Sequence, residues 1–259
     1  MDKLVRKIEV PLAKSAITDA GLYIASPEDI GRLAEVAMEA YQDYPLHNWL
    51  TNGHYDREAS KRIMEVSLRT MANDGVIYAD SPELNGFAAW LPLGFTGSKT
   101  VPFLTNGGLR LILRAGPGII GRLLTYETFA MRLKEKYTAN VDWYLYNLSV
   151  RPQAQGQGIA AKLLRPMLAF CDRENIVCYL ETNKPQNVDI YRHFAFRLEE
   201  QALIPGSDVM HYAMTRTPVP PIPAEEGAQG EGPGWGRVAE SPREPRPYIE
   251  GRRKRAHGV

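Results

Sequence analysis

Between Trp143 and Leu164 the chain reads WYLYNLSV, then Arg-Pro, then QAQGQGIA, then AKLL. Aromatic and β-branched residues make the first run a strand, Trp143–Val150. Apolar residues at helical spacing make the last part of a helix over Gly158–Arg173. Between them, glycines let backbone N–H groups turn toward one point, because no Cβ stands in the way of an approaching phosphate. The helix that starts there adds unpaired N–H groups and the positive end of its dipole. Together these form a cradle for a pyrophosphate that needs no lysine. A glycine-rich turn of this kind also serves as a bare tight connection.

Two phosphate sites fit the run. Gly156-x-Gly158-x-x-Ala161 matches a dinucleotide fingerprint, and Glu181 lies 20 residues beyond Ala161 at the end of the next strand. Against it, Arg151–Gln155 separate the strand from its first glycine, where a dinucleotide fold runs almost directly from one to the other. Too few βα units follow as well. The other site is that of an acyl-CoA.

The rest of the chain up to residue 216 is mixed α and β. Leu22–Ala25 is a short strand. Ser26, Pro27 and Asp29 form an N-cap, an N1 proline and a capping-box acid for a helix carrying Ile30, Leu33, Ala34, Ala37, Met38 and Tyr41. A second helix spans about Asp56–Asn73. Val76–Asp80 and Gly86–Leu93 form a hairpin around Ser81–Gly86. Residues 94–137 are a helical insertion whose last helix covers roughly Arg122–Tyr137. After Gly158–Arg173 come strand Val177–Thr182, a short helix Asn187–His193, and a closing hairpin of Phe196–Ile204 with His211–Arg216. Residues 217–259 hold eight prolines and seven glycines and read as a flexible tail. Its Arg252–Arg255 run is a solvated end more than a binding patch.

SVRPQAQGQGIAAKLL resembles the acyl-CoA-binding motif of the GNAT superfamily of N-acetyltransferases, a Q/R-x-x-G-x-G/A signature. It is framed here as Gln153/Gly156/Gly158 or as Gln155/Gly158/Ala160. NVDIYRHFAF, Asn187–Phe196, resembles the superfamily's later N-x-x-x-Y…G-F segment. The pair, in order and with a strand between, is more specific than either alone. LETNKPQNVDIYRHFAF, the DYP at Asp43–Pro45 and the terminal MTR resemble the branch that includes puromycin N-acetyltransferase, over about residues 20–216. Ala195 stands where the motif carries glycine, which would shift the loop after the short helix.

The resemblance implies an α/β (α+β) fold: a twisted mixed, mostly antiparallel sheet, splayed between two central strands and flanked by helices. It implies acetyl-CoA as co-substrate and direct transfer to a primary amine through a ternary complex. Tyr191 is then the general acid at the CoA sulfur. Backbone groups of Leu148, Ser149 and Val150 pair with the pantetheine, and Asn187 caps its helix or bonds the pantetheine amide. Gln153, Gln155, Gly156, Gln157, Gly158, Ile159 and Ala160 surround the diphosphate. Glu181 is the base or holds the substrate ammonium, unless it is a carboxylate paired at the core edge or water carries the proton. A regulatory acyl-CoA sensor without turnover is the alternative, against which the intact Tyr191 weighs.

Tyr41, Tyr44, Trp49, Trp90, Tyr126, Phe129 and Trp143 line either an acceptor pocket or the core. A pocket would suit a small amphipathic amine and an open groove a peptide. His193 faces solvent or packs. His47, His54 and His211 have no ligand spacing, so no metal is expected. With 31 Lys+Arg against 30 Asp+Glu, no basic excess marks a nucleic-acid binder. The N-terminal segment has no unbroken apolar stretch for a signal, and Leu109–Leu124 is broken by arginines and GPG, so no membrane partner is expected. Cys171 and Cys178 fit buried reduced thiols, and the expected location is the cytosol. Oligomeric state is not readable.

Overall fold

The computed structural model describes residues 3–51, 56–93, 109–138 and 141–220, with side chains from residues 9 and 117 onward in its first and third segments. The chain divides into two compact units, Met1–Ile222 and Pro223–Val259. The second lies outside the described residues, as do most of the expected tail with Arg252–Arg255, residues 94–108 of the insertion, and His54.

In chain order the elements are α1 (Lys3–Asp19), β1 (Tyr23–Ile24), α2 (Ile30–Ala40), α3 (Pro45–Leu50), α4 (Arg57–Ala72), β2 (Val76–Ala79), β3 (Gly86–Pro92), α5 (Leu109–Tyr137), β4 (Trp143–Val150), α6 (Ile159–Arg173), β5 (Cys178–Thr182), α7 (Pro185–Arg192), β6 (Arg197–Leu203) and β7 (Met210–Arg216). The seven strands form one sheet in the order β1-β2-β3-β4-β5-β7-β6. All pairs are antiparallel except β4 with β5. This is the mixed, mostly antiparallel sheet that the sequence implied.

Strand alternation sorts the core onto two faces. Val76, Tyr78, Ala88, Trp90, Trp143 and Leu145 pack against α1 and α6, where Ile17, Leu163, Met167 and Cys171 are fully buried. Ile77, Ala79, Phe87 and Ala89 pack against α2 and α4 through Leu33, Ala37 and Leu68. Cys171 and Cys178 are buried free thiols. Trp90 and Trp143 therefore belong to the core and not to an acceptor pocket. Trp90 Nε1 donates to Tyr78 Oη (3.1 Å), and Trp143 Nε1 donates to Glu9 Oε2 (3.2 Å).

The start of α2 follows its local sequence. Asp29 Oδ2 accepts from the Ser26 backbone N–H and from Ser26 Oγ, both at 2.9 Å, so the capping acid reaches back to its cap. Three helices depart from expectation. α3, a short helix opened by Pro45, has no counterpart in the sequence reading. α1 is absent from the sequence reading, because Pro11 and its lysines mask the buried Ala13 and Ile17. α5 begins at Leu109 rather than near Arg122, running through Gly116-Pro117-Gly118. A proline inside a helix removes a donor and costs about 3 kcal/mol. Leu123, Tyr126 and Phe129, all beyond Pro117, pack against the Leu46–Leu50 cluster and hold the C-terminal half of α5. No helix among the described residues is long and apolar enough to cross a membrane.

Candidate active site

β4 runs beside β5 only from Trp143↔Cys178 through Leu145↔Leu180. On its other side β4 slips register against β3: Ala89 opposes Asn147 while Trp90 opposes Leu145, leaving Tyr146 extra. Such a bulge bends the strand and increases its twist. The bend comes just where β4 leaves β5, so Leu148–Val150 diverge from Glu181–Thr182. A cavity of about 500 Å³ adjoins that divergence.

Leu148 and Val150 line this cleft, whereas Ser149 turns the other way and donates from Oγ to Asn147 Oδ1 (2.9 Å). The expected part for Ser149 is thus confined to its backbone. Beyond Val150, Arg151 anchors the corner: its N–H donates to Asn85 O (2.8 Å), its Nε donates to Leu84 O (3.1 Å), and its Nη1 pairs with Glu39. Gly156 and Gly158 take φ of 75° and 78°, the left-handed region open to glycine. Lys162 N–H bonds Gly158 O (2.9 Å), so the amides of Ile159, Ala160 and Ala161 lie in the first turn of α6, without intrahelical partners. An anion at this corner meets those amides.

Gln155, Gly156, Gly158, Ile159 and Ala160 line the cleft together with Asn187 and Tyr191. Gln155 Nε2 donates to Val150 O (3.1 Å) and braces the turn. Gln153 and Gln157 are exposed and are not among the lining residues; Gln157 Nε2 donates to Gln153 O (3.1 Å) instead. Asn187 Nδ2 donates to Thr182 Oγ1 (3.0 Å), tying α7 to the end of β5. Tyr191 is 8 % exposed, and burial pushes its phenol up from the ordinary range, with nearby Tyr41 and Tyr44 adding to the rise. Tyr191 therefore keeps its proton at neutral pH.

Ala195 takes the left-handed conformation itself, at φ 63°, in the position where the motif carries glycine. His193 is exposed, its Nδ1 2.6 Å from Asp189 O.

Glu181 is not in the cleft with Tyr191. It lines a smaller cavity of about 140 Å³, shared with Tyr126, Glu127, Lys134, Tyr146 and Asn147 among others. Its Oε1 accepts from Tyr179 Oη (2.8 Å) and its Oε2 from Tyr144 Oη (3.1 Å). Tyr41 and Tyr44 line both cavities and connect the two halves of the site. Tyr41 Oη accepts from Asn147 Nδ2 (2.8 Å), and Tyr44 Oη accepts from the Asn183 N–H (2.8 Å). Of the aromatic candidates, Tyr41, Tyr44 and Tyr126 thus line the acceptor side. Trp49 faces a separate surface groove with Asp43 and Asp208, and Phe129 packs on His211.

Sequence reasoning missed Glu127 and Lys134, which belong to no recognisable motif, and Asn147 and Lys184, which lie within the quoted runs without being singled out. Among the described residues no cluster of His, Cys, Asp and Glu is arranged to hold a metal ion.

Comparison with known proteins shows what this chain is similar to. Residues 103–196 match the family model described as acetyltransferase (GNAT) family. An uncharacterized N-acetyltransferase of Schizosaccharomyces pombe is 23% identical over 218 residues, covering 78% of this chain and 85% of the relative. Two solved structures are similar in fold. A histone acetyltransferase HPA2 and related acetyltransferase from Corynebacterium glutamicum has 18% identity and a TM-score of 0.51, over 77% of this chain and 97% of that one. Arylalkylamine N-acetyltransferase 2 from Aedes aegypti has 15% identity and a TM-score of 0.51, over 76% and 97%.

Proposed function

We propose that this chain, which carries an N-acetyltransferase domain of the GNAT family, moves an acetyl group from acetyl-CoA to a primary amine of a small molecule by direct transfer in a ternary complex. The observation that carries this reading is the parting of β4 from β5 beyond Leu145 and Leu180, with Tyr191 and the glycine corner on one cavity. Acetyl-CoA supplies the activated thioester that an amine attacks.

The chain's own groups then divide the work. The amides of Gly156–Ala161 and the dipole of α6 meet the diphosphate. The unpaired edge of β4 at Leu148–Val150 takes the pantetheine as an added strand. Tyr191, protonated at neutral pH, donates to the sulfur as the C–S bond breaks. Glu181, held by Tyr144 and Tyr179, faces the acceptor side, and the proton lost by the amine leaves there, by carboxylate or water. The likeness to the puromycin-acetylating branch and the small size of the second cavity both favour a small molecule over a peptide. The free thiols Cys171 and Cys178 suit a reducing compartment such as the cytosol.

Titration with acetyl-CoA, followed by an amine panel monitored through thiol release, tests this. Saturable binding and amine-dependent release are expected. Tyr191→Phe should lower kcat by about 10²-fold while leaving acetyl-CoA binding unchanged. Absence of saturable binding, or unchanged turnover in Tyr191→Phe, would overturn it.

A further inference from the structure

The smaller cavity has a charge pattern of its own. Glu127, Ala130 and Lys134 lie at i, i+3 and i+7 on α5 and line it from one side. Glu181 faces it from β5, Tyr144 and Tyr146 from β4, and His47 from α3. His47 is 8 % exposed, and its Nδ1 has no hydrogen-bond partner among the described residues. Burial lowers both His47 and His211, so both imidazoles are neutral at pH 7. Burial also raises the surrounding phenols, which stay uncharged.

Two carboxylates therefore face one ammonium, that of Lys134, whose Nζ sits 4.2 Å from the centroid of the Tyr144 ring. Glu181 already accepts two phenolic hydrogen bonds. Glu127 accepts none from a described residue, and burial in the cavity wall raises its carboxyl. The lining thus holds two carboxyl groups to one ammonium, and Glu127, which Lys134 offsets only in part, is the one with no described hydrogen-bond donor of its own, among aromatic rings that favour cations. The volume of about 140 Å³ is close to that of a cavity that holds benzene, so the occupant has about five to eight non-hydrogen atoms.

The geometry points to this cavity as the seat of a compact monoamine, its single ammonium held by Glu127, with Lys134 excluding a second positive charge. The assignment rests on the reading of the adjoining cleft as the acetyl-CoA site, since an amine seated here abuts the Tyr41–Tyr44 wall that both cavities share. It sets diamines apart from monoamines of the same length. A diamine would bring its second ammonium against that of Lys134.

Steady-state acetylation by the full chain of benzylamine, butylamine and putrescine tests the assignment, with Glu127→Gln and Lys134→Met compared with wild type and calorimetric titration of each amine into the protein saturated with CoA. Both monoamines should exceed putrescine in kcat/KM. Glu127→Gln should raise the monoamine KM and Kd by about 10-fold or more, as loss of a charged hydrogen-bond partner does, with a smaller effect on kcat. Lys134→Met should narrow the gap between monoamine and diamine several-fold. Unchanged KM and Kd in Glu127→Gln, or an unchanged gap in Lys134→Met, would overturn this subsite while leaving the transferase reading intact. Failure of the wild type to bind acetyl-CoA would remove both.

Discussion

The ring of Phe196 stands edge-on to that of Tyr191, their centroids 5.8 Å and their planes 65° apart. Two backbone bonds bring them together. The Phe196 N–H donates to Tyr191 O (3.1 Å) and the Ala195 N–H donates to Arg192 O (2.9 Å). This pair of bonds, with a left-handed residue at Ala195, is the Schellman helix end, in which an apolar residue past the end packs back on the last turn. The aromatic residue five positions after the tyrosine thus packs against the ring of the proposed acid from the far side of the helix end.

Glycine at Ala195 should stabilise the protein. A non-glycine residue at φ 63° carries about 1–2 kcal/mol of steric cost, part of which the extra unfolded freedom of glycine offsets. Ala195→Gly should raise the urea midpoint by an amount worth about 0.5–1 kcal/mol, with the m-value unchanged and turnover retained. A lower midpoint would mean that the left-handed turn is not held in solution.

The corner between β4 and α6 should tolerate little change. Gly158→Ala puts a Cβ on a residue at φ 78°, with open space around it, so the cost is conformational and about 1 kcal/mol. Relief by rotation turns the first amides of α6 away from their common point, and KM for acetyl-CoA should rise several-fold while the amine KM holds. Gly86→Ala acts from the opposite side: its Cβ would stand 2.8 Å from Ile159 Cγ2 and 3.0 Å from Ser149 O, pushing the start of α6 outward. Both variants are read by initial rates against acetyl-CoA and by thermal melting.

The parts of this fold that sequence makes legible are those whose signal is local. Trp143–Val150 declares a strand by its aromatic and branched residues, and Ser26 with Asp29 declares a helix start by the hydrogen bond it forms. The corner at Gly156 and Gly158 is legible because only glycine takes that backbone freely. The acceptor side is not legible. Glu127 and Lys134 sit on a helix whose sheet-facing stripe is defined only by what it packs against, and the Pro117 that suggests a break lies within that same helix. Glu181 is visible as a strand-end acid, but its place in the cavity adjoining that of Tyr191, with Tyr41 and Tyr44 common to both, depends on α2 and its C-terminal turn folding over the sheet.

Stability should fall as pH drops below neutrality, in part through His47. Burial lowers its folded pKa from 6.5 to about 4, so between those values the unfolded chain binds a proton that the folded one does not. Stability from this group is full above about pH 7 and is lost as pH falls toward 4, by about 2 kcal/mol between pH 7 and pH 5. His211, also lowered by burial, acts in the same direction. Urea unfolding of wild type and His47→Leu at pH 7 and pH 5 checks this: the variant should lose less stability over that interval. An equal loss in both proteins would show that His47 is not desolvated.

Arg216 gives the sharpest test of how the late strands are held. Its side chain is fully buried; Nη1 and Nη2 donate to Asp172 Oδ1 and Oδ2 at 2.7 and 2.8 Å, and Nε donates to Phe194 O (2.8 Å). The guanidinium thereby joins β7, the end of α6 and the turn that carries Tyr191 to Phe196. Removing one partner of a buried pair strands the other charge in a medium that solvates it poorly, at a cost of about 3–5 kcal/mol. Asp172→Ala should lower stability by that amount in urea unfolding, whereas Arg216→Met with Asp172→Ala should recover part of the loss by leaving no charge unpaired. Because the Phe194 carbonyl loses its donor in the double variant, Tyr191 should be less well held there, and kcat should stay below wild type even where stability returns. A single variant within about 1 kcal/mol of wild type would show that water reaches Arg216 and that the pair is not buried in solution.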